Sequence, residues 1–496
     1  MRVSDLPRAR VAADVLLEIE DALGVSVEFF LERVHSVDCF LLDGNAPTRE
    51  ESVQAGFSVT VRHREATGEV AVNSLSPDAL SQGLAAAADR AGAPALPLDR
   101  LAAAVAAALG PSAAALGRSE AALGRSEAAL GRSGAGVGRE DGALLGQDFA
   151  GRGLAGRDPS AGLGLAGRET HTLWTVYDAA RREGPLSSVA VSHSGELREF
   201  LVLAPGRTHR EIAEPRYLLS CRAISEQDTV GYRKIGVRDL DVWASGQAAA
   251  EIGGDAGRSA LRKRGAAPVR QEDAVVVVAA GASGVLAHEL VGHPLEGDIA
   301  VGGLAGVRWA PGDRIGPAHL TVVDDPGLPG AWGSFPYDDT GAAADRCPLV
   351  EGGVVTGFVE GTGRQRRQSF RCPPLSRMSN VVMAPGPDDP AALTGSVRDG
   401  YHVALLGGGM VAESGVFTVG GVNIHRIRRG RLAEPVADSV ITGRVSTALR
   451  HIRAIGSDFA LGGPAACGKY GQGVPVGDGG PTLLMTGLNI EPAHSS

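Results

Sequence analysis

The run His288-Glu289-Leu290-Val291-Gly292-His293 places a carboxylate beside one imidazole, with a second imidazole five residues after the first. Imidazoles bind zinc and a glutamate can take a proton from water, so these residue types suit amide hydrolysis if the rings converge. Spacing stands in the way. Histidines four apart lie about 40° from eclipsed on a regular α-helix, whereas histidines five apart lie about 140° apart. The neighbouring residues offer a way round this. Gly292 permits an unusual backbone, Pro294 cannot continue the hydrogen-bond ladder, and a π-bulge restacks residues i and i+5. On spacing alone, a chance pair of histidines flanking a glutamate stays open as the alternative. A third ligand must come from elsewhere. Cys467 sits in Gly462-Gly463-Pro464-Ala465-Ala466-Cys467-Gly468-Lys469, a tight glycine-rich turn able to present a thiolate. Thiolate plus two imidazoles suits zinc and leaves a fourth position for water. A lone cysteine is otherwise a small buried hydrophobe, and by that test Cys39, Cys221, Cys347 and Cys372 are structural.

The elements that must position these groups read as an α+β protein. Ala274–Ala279 is a buried strand, followed by a GASG turn and the helix carrying both histidines. Beyond residue 300, glycine turns alternate with short β-type runs (His319–Val323, Val354–Glu360, Gly415–Val422 and Val422–Arg428), which predicts a mainly antiparallel β-rich domain over 271–496. The N-terminal part reads as an α/β domain in two pieces, 1–98 and 171–270. Apolar residues at helical spacing predict an opening helix near 8 to 23. Strand-like stretches follow at Val25–Arg33, Cys39–Leu42 and Phe57–Arg64, with Asp43-Gly44-Asn45 as a turn. Ser76 and Pro77 are suited to start a helix running through Ala91. Strand patterns resume at Ser188–Ser192, Arg198–Leu203 and Arg216–Ala223, before a helical stretch over Val242–Leu261. Between the two pieces, 99–170 is an Ala/Gly/Arg low-complexity insertion. Its seven-residue repeat LGRSEAA offers one leucine and one glycine per turn pair, too little for a coiled coil, which predicts disorder.

Composition excludes several classes. The balance of 48 basic against 57 acidic residues gives −9, and no basic stripe is visible, which argues against direct contact with nucleic acid. Five irregularly spaced cysteines predict no disulfide framework and a reducing compartment. The first residues contain acids within their apolar pattern and no signal-peptide core, and no apolar run reaches membrane length. A soluble, cytoplasmic protein is the expectation.

HELVGHPLEGD (288–298) together with CGKYGQGVPVGDGGPTL (467–483) resembles the TldD/PmbA family, the modulator-of-gyrase proteins. Asp338-Asp339-Thr340-Gly341, the stretch Arg367–Asn380, Gly407-Gly408-Gly409 and Ser414-Gly415-Val416-Phe417 resemble further family segments, so the likeness covers most of the chain except 99–170. The family pairs a subunit carrying the His-Glu…His motif and a cysteine with a metal-free paralogue of TldE/PmbA type. The resemblance implies that His288, His293 and Cys467 bind Zn2+, that Glu289 is the general base, and that the chain is a TldD-type zinc metallopeptidase acting on unfolded peptides in a heterodimer. Two other readings follow from it: an amide hydrolase acting on an antibiotic or other natural-product precursor, and a non-catalytic modulator of a gyrase-type complex. Glu296 and Asp298 are candidates to orient the imidazoles from behind, with a solvated acidic turn as the alternative. Lys469 stands out in a lysine-poor chain without an assigned role, and Asp324 and Asp325 read as loop-shaping.

Overall fold

Residues 6–109, 168–212, 215–243, 246–303 and 306–493 are described by the computed structural model. Helix α1 (Leu6–Leu23) buries Val15, Leu16 and Ile19 of its apolar pattern, whereas Val11 and Leu23 at its ends stay exposed. Helix α2 (Pro77–Arg90) starts as the sequence indicates: Ser76 accepts a hydrogen bond from the Ala79 amide and Pro77 occupies the first turn.

The N-terminal sheet contains β1 (Val25–Leu42), β2 (Thr48–His63), β3 (Ala66–Val72), β4 (Leu186–Ala204), β5 (Arg207–Ile212), β6 (Arg216–Ser225) and β7 (Val230–Val237). Its order is β3-β2-β1-β4-β6-β7, with β5 also on β4. Strands expected as separate pieces are continuous: Val25–Arg33 and Cys39–Leu42 merge into β1, and Ser188–Ser192 and Arg198–Leu203 merge into β4. The polar residues between them sit in the same ladder, because β1 and β4 pair with each other from Phe29 to Leu42. Odd-numbered β1 residues face a helical layer. Phe29 and Leu31 pack with α1, α2 and helix α3 (Leu98–Leu109), while Val37 and Cys39 pack with α4 (Arg168–Arg182) and α5 (Gln247–Arg262). The opposite face carries Phe30, Phe200 and Val202, which meet Phe370 from the C-terminal half.

Helix α3 corrects part of the expectation for 99–170. Leu101, Ala102, Val105 and Ala108 recur at helical spacing and are buried against α1 and α2. The repeat itself, with the rest of that stretch up to 167, lies outside the described residues.

The C-terminal half is built on two further seven-stranded sheets. One has the order β11-β10-β9-β14-β22-β20 with β21 also on β22; its members are β9 (Val322–Asp324), β10 (Cys347–Glu351), β11 (Val354–Val355), β14 (Asn380–Met383), β20 (Ala460–Leu461), β21 (Ala465–Lys469) and β22 (Gln472–Gly480). A small hairpin, β12 (Gln365–Arg366) and β13 (Leu375–Ser376), stands beside it. The other has the order β15-β8-β23-β18-β16-β17 with β19 on β23; it contains β8 (Gln271–Val278), β15 (Asp399–Val411), β16 (Val416–Arg428), β17 (Arg431–Val436), β18 (Ser439–Arg444), β19 (Ile452–Ile455) and β23 (Leu483–Pro492). Pairing is antiparallel except for β14–β22 and β15–β8, which are parallel. The run expected over Val354–Glu360 is a strand only at β11, and the two runs meeting at Val422 form the single strand β16. One apolar core joins both sheets to the histidine-bearing helix, through Leu286, Leu290, Val381, Val403 and Val476. The class is α+β.

Candidate metal centre

Strand β8 delivers the chain through Gly281, at φ 80°, into the short helix α6 (Ser283–Ala287). From His288 to Gly292 the helix widens to a π-turn, and His293–Leu295 closes it as a 3-10 turn. One residue is thereby added to the turn, so positions 288 and 293 stack. The close packing that accompanies this needs a glycine: a Cβ on Gly292 would stand 2.1 Å from Met378 Sδ. Pro294 lies just after the wide turn, where no helical N–H is demanded of it.

The two imidazoles meet edge to face with centroids 4.8 Å apart. Cys467, on β21, brings its Sγ to 3.4 Å from His293 Nε2. The donor atoms of His288, His293 and Cys467 all lie within 4.8 Å of one another. A tetrahedral zinc with ordinary Zn–S and Zn–N bonds separates sulfur from nitrogen by about 3.5 Å, so this donor set fits that ion. Burial opposes charge on all three groups. Even so, the two imidazoles hold the Cys467 thiol well below its ordinary range, and that thiolate holds His288 and His293 above theirs.

Glu289 is 4% exposed and its Oε2 has no hydrogen-bond partner among the described residues. Burial pushes its carboxyl up, against the pull of both imidazoles. It lies under the glycine segment of β15, where a Cβ on Gly409 would stand 2.7 Å from Glu289 Oε1.

The two acids suggested as supports do different things. Glu296 is fully buried and its Oε2 sits 3.1 Å from His293 Nδ1, fixing which ring nitrogen faces Cys467. Burial would raise its pKa, but the bond to His293 and the charges of Lys469 and Arg377 hold it below the usual value. Asp298 instead accepts from Lys469 Nζ at 2.6 Å. Lys469 also lies 3.5 Å from Glu296 Oε2, so the conspicuous lysine is a clamp on both acids. Asp324 is buried, accepts from the Ser379 amide and hydroxyl, and pairs with Arg364; Asp325 closes a turn on the Gly327 amide. Cys39 and Cys221 are buried in the N-terminal core, where burial pushes their thiols up to about 11 and about 12.

Three participants lie in segments marked by the family resemblance, which gave none of them a role. Arg377 is fully buried and donates to the carbonyls of Cys467 and Gln472, holding the β21–β22 hairpin in place. Gly409 makes room for Glu289. Asp478, on β22, is buried beside Gly284 and Gly462, with Oδ1 unpartnered and its carboxyl pushed up to about 7 by burial.

The stretch that carries these residues is similar to known proteins. Residues 271–492 match the model of the PmbA/TldA metallopeptidase C-terminal domain. A metalloprotease of Methanothermobacter thermautotrophicus is 32% identical over 290 residues, which is 55% of this chain and 63% of that protein. A zinc metalloprotease TldD homolog of Saccharolobus solfataricus is 29% identical over 228 residues, 43% of this chain and 51% of that protein. The chain therefore spans between half and two thirds of the length of these curated relatives. Among solved structures, TldE from Thermococcus kodakarensis has a TM-score of 0.64 at 16% identity, covering 97% of this chain and 100% of its own. At that identity the likeness is one of fold. No described helix is long and apolar enough to cross a membrane. Both motifs, the one holding His288, Glu289 and His293 and the one holding Cys467, lie inside the stretch that is similar to the PmbA/TldA metallopeptidase C-terminal domain.

Proposed function

We propose that this chain is a TldD-type zinc metallopeptidase subunit that hydrolyses amide bonds in unfolded peptides. His288, His293 and Cys467 are its metal ligands, and Glu289 is its general base. The observation that carries the reading is the π-turn, which brings two histidines of unsuitable spacing onto one thiolate. A scaffold needs neither that distortion nor a buried carboxylate with a free oxygen beside it. Zinc held there would polarise the scissile carbonyl and acidify a water. Glu289 would take the water's proton on its unpartnered oxygen and pass it to the leaving amine. Glu296 keeps His293 in the tautomer that binds metal through Nε2.

The substrate is held as an added strand. β15 pairs with β8 only over Tyr401–Val403, so among the described residues Leu405–Val411 has no strand partner on that side. This open edge runs past Glu289 at Gly409, and main-chain bonds to it select an extended backbone over any side chain. A metal-free paralogue of TldE type is the partner the family likeness favours. The reading as a natural-product amide hydrolase differs only in substrate, and the same residues serve it.

The test is turnover of unstructured peptides by wild type and Glu289→Gln, each with and without the paralogue. Glu289→Gln is expected to lose on the order of 10²–10⁴-fold in kcat at unchanged metal content. Turnover at the wild-type rate would remove Glu289 from the chemistry. A peptide N-methylated on both sides of the scissile bond is expected to resist cleavage, and full cleavage of it would refute strand addition.

A further inference from the structure

A small cavity of about 20 Å³ opens between the second face of the N-terminal sheet and the C-terminal half, lined by Arg198, Arg216, Arg238, Arg366, Asp339 and Tyr337 among others. Four guanidinium groups around one carboxylate is an unusual lining in a chain of net charge −9. Asp339 is fully engaged: Arg198 Nη1 donates to its Oδ1 at 2.7 Å and the Arg367 amide to its Oδ2 at 2.7 Å. Arg198 also donates to Glu32 at 2.6 Å, yet its Nη2 has no partner among the described residues. Arg216 (6% exposed) donates to the Trp332 carbonyl, and Arg366 (4% exposed) to the Pro475 carbonyl. Neither has a carboxylate within ion-pair distance among the described residues. Arg366 is oriented instead by Phe335, whose ring centroid lies 4.4 Å from its Cζ.

We propose that this cavity is a binding site for one oxyanion, a carboxylate or phosphate-like group seated between Arg216, Arg366 and the unpartnered Nη2 of Arg198. Planar guanidinium forks suit such a group, and a carbonyl accepts too little charge to compensate a buried cation. The energetics agree: burial and neighbouring arginines push Arg366 down to about 9 and Arg216 to about 10, so each gains from an incoming anion. The site is coupled to the metal centre through the main chain. Pro475, which Arg366 grips, is the register partner of Ala466, the residue before Cys467. Two sources of the anion share this chemistry: a peptide's free C-terminal carboxylate and a small inorganic ion.

The experiment uses the metal-loaded full chain at constant ionic strength and reads thermal shift against sulfate, with chloride as reference. A saturable rise is expected, half-complete at least tenfold lower in sulfate than in chloride. It should be lost in Arg216→Gln and Arg366→Gln and kept in Arg62→Gln, an exposed arginine on β2. Because the buried variants risk misfolding, wild-type crystals grown with selenate provide an independent readout, with density expected between Arg216 and Arg366. A short peptide with a free carboxylate that competes with sulfate, while its amide does not, assigns the site to a peptide terminus. Competition by neither assigns it to an inorganic ion. Equal responses to sulfate and chloride, or no selenate density in the cavity, would overturn the proposal and leave the arginines as caps on carbonyls. The metal content and Glu289 assays above are independent of this outcome.

Discussion

Replacing Gly409 by alanine perturbs Glu289 without changing it. Gly409 is exposed on β15, and its φ lies outside the left-handed region, so the backbone accepts an alanine. The added carbon would stand 2.7 Å from Glu289 Oε1, 2.8 Å from Cγ and 2.9 Å from Cδ. Comfortable carbon contacts begin near 3.5 Å, so the carboxylate must retreat by roughly 0.7 Å. Glu289 is 4% exposed, so it has little room in which to withdraw, and the displacement is expected to shift its carboxylate relative to the three donor atoms. Misplacing a reacting group by about 1 Å costs on the order of 10²-fold, or roughly 2.7 kcal/mol of barrier. The metal ligands are untouched, so zinc per chain is expected to match wild type. Gly408→Ala is the matched control, because a Cβ there meets nothing within 4 Å. The assay pairs kcat/KM on an unstructured peptide with metal analysis of the same preparations. If Gly409→Ala and Gly408→Ala are equally active, Glu289 does not act from the position the fold gives it.

Three further outcomes are expected. Cys467→Ser should lose most of its zinc on dialysis against a weak chelator, whereas Cys372→Ser should retain it; equal retention would remove Cys467 from the ligand set. Arg377→Met should cost about 3–5 kcal/mol in urea unfolding, because Glu296 and two buried carbonyls lose their cation together. His193, 1% exposed against Trp243, is pushed down to about 4 by burial, so from about 6.5 to 4 the unfolded chain binds the extra proton and stability falls as pH falls. The full drop is about 3 kcal/mol, and His193→Gln should flatten that limb of a stability–pH curve.

Much of the metal centre is legible in the residues because each element carries a local signal. Histidines five apart, a glycine and a proline together describe a widened turn, and the structure has a π-turn at those positions. The start of α2 was equally plain, since Ser76 and Pro77 act within one turn. Long β1 and β4 were read as fragments because polar residues such as Arg33 and His35 interrupt the apolar alternation. Their partners across the ladder, Glu199 and Leu197, were invisible in the sequence. Helix α3 was missed because an alanine-rich run beside a low-complexity repeat resembles it in composition, and only tertiary packing distinguishes Leu101 and Val105. Arg377 and Gly409 act on residues 90 and 120 positions away, across contacts that only the fold creates. Lys469 stands out in the sequence by its rarity, but its clamp on Glu296 and Asp298 depends on the β21–β22 hairpin reaching back to the helix.

The last strand of the C-terminal sheet has a consequence for biosynthesis. β23 is an interior strand, flanked by β8 on one side and β18 on the other. The histidine helix follows directly from β8, so its anchor lacks one of its two neighbours until residues 483–492 have emerged from the ribosome. About 200 residues separate His293 from the end of that strand, which at roughly 5–20 residues per second is an interval on the order of ten seconds or more. Throughout it the cysteine ligand is either unmade or unplaced. A growing chain is itself an unfolded peptide, the class of substrate proposed here, and would be exposed to any prematurely assembled centre. Placing the closing strand late in translation withholds that centre from the nascent chain, and from its neighbours on the same message, until the sheet can close.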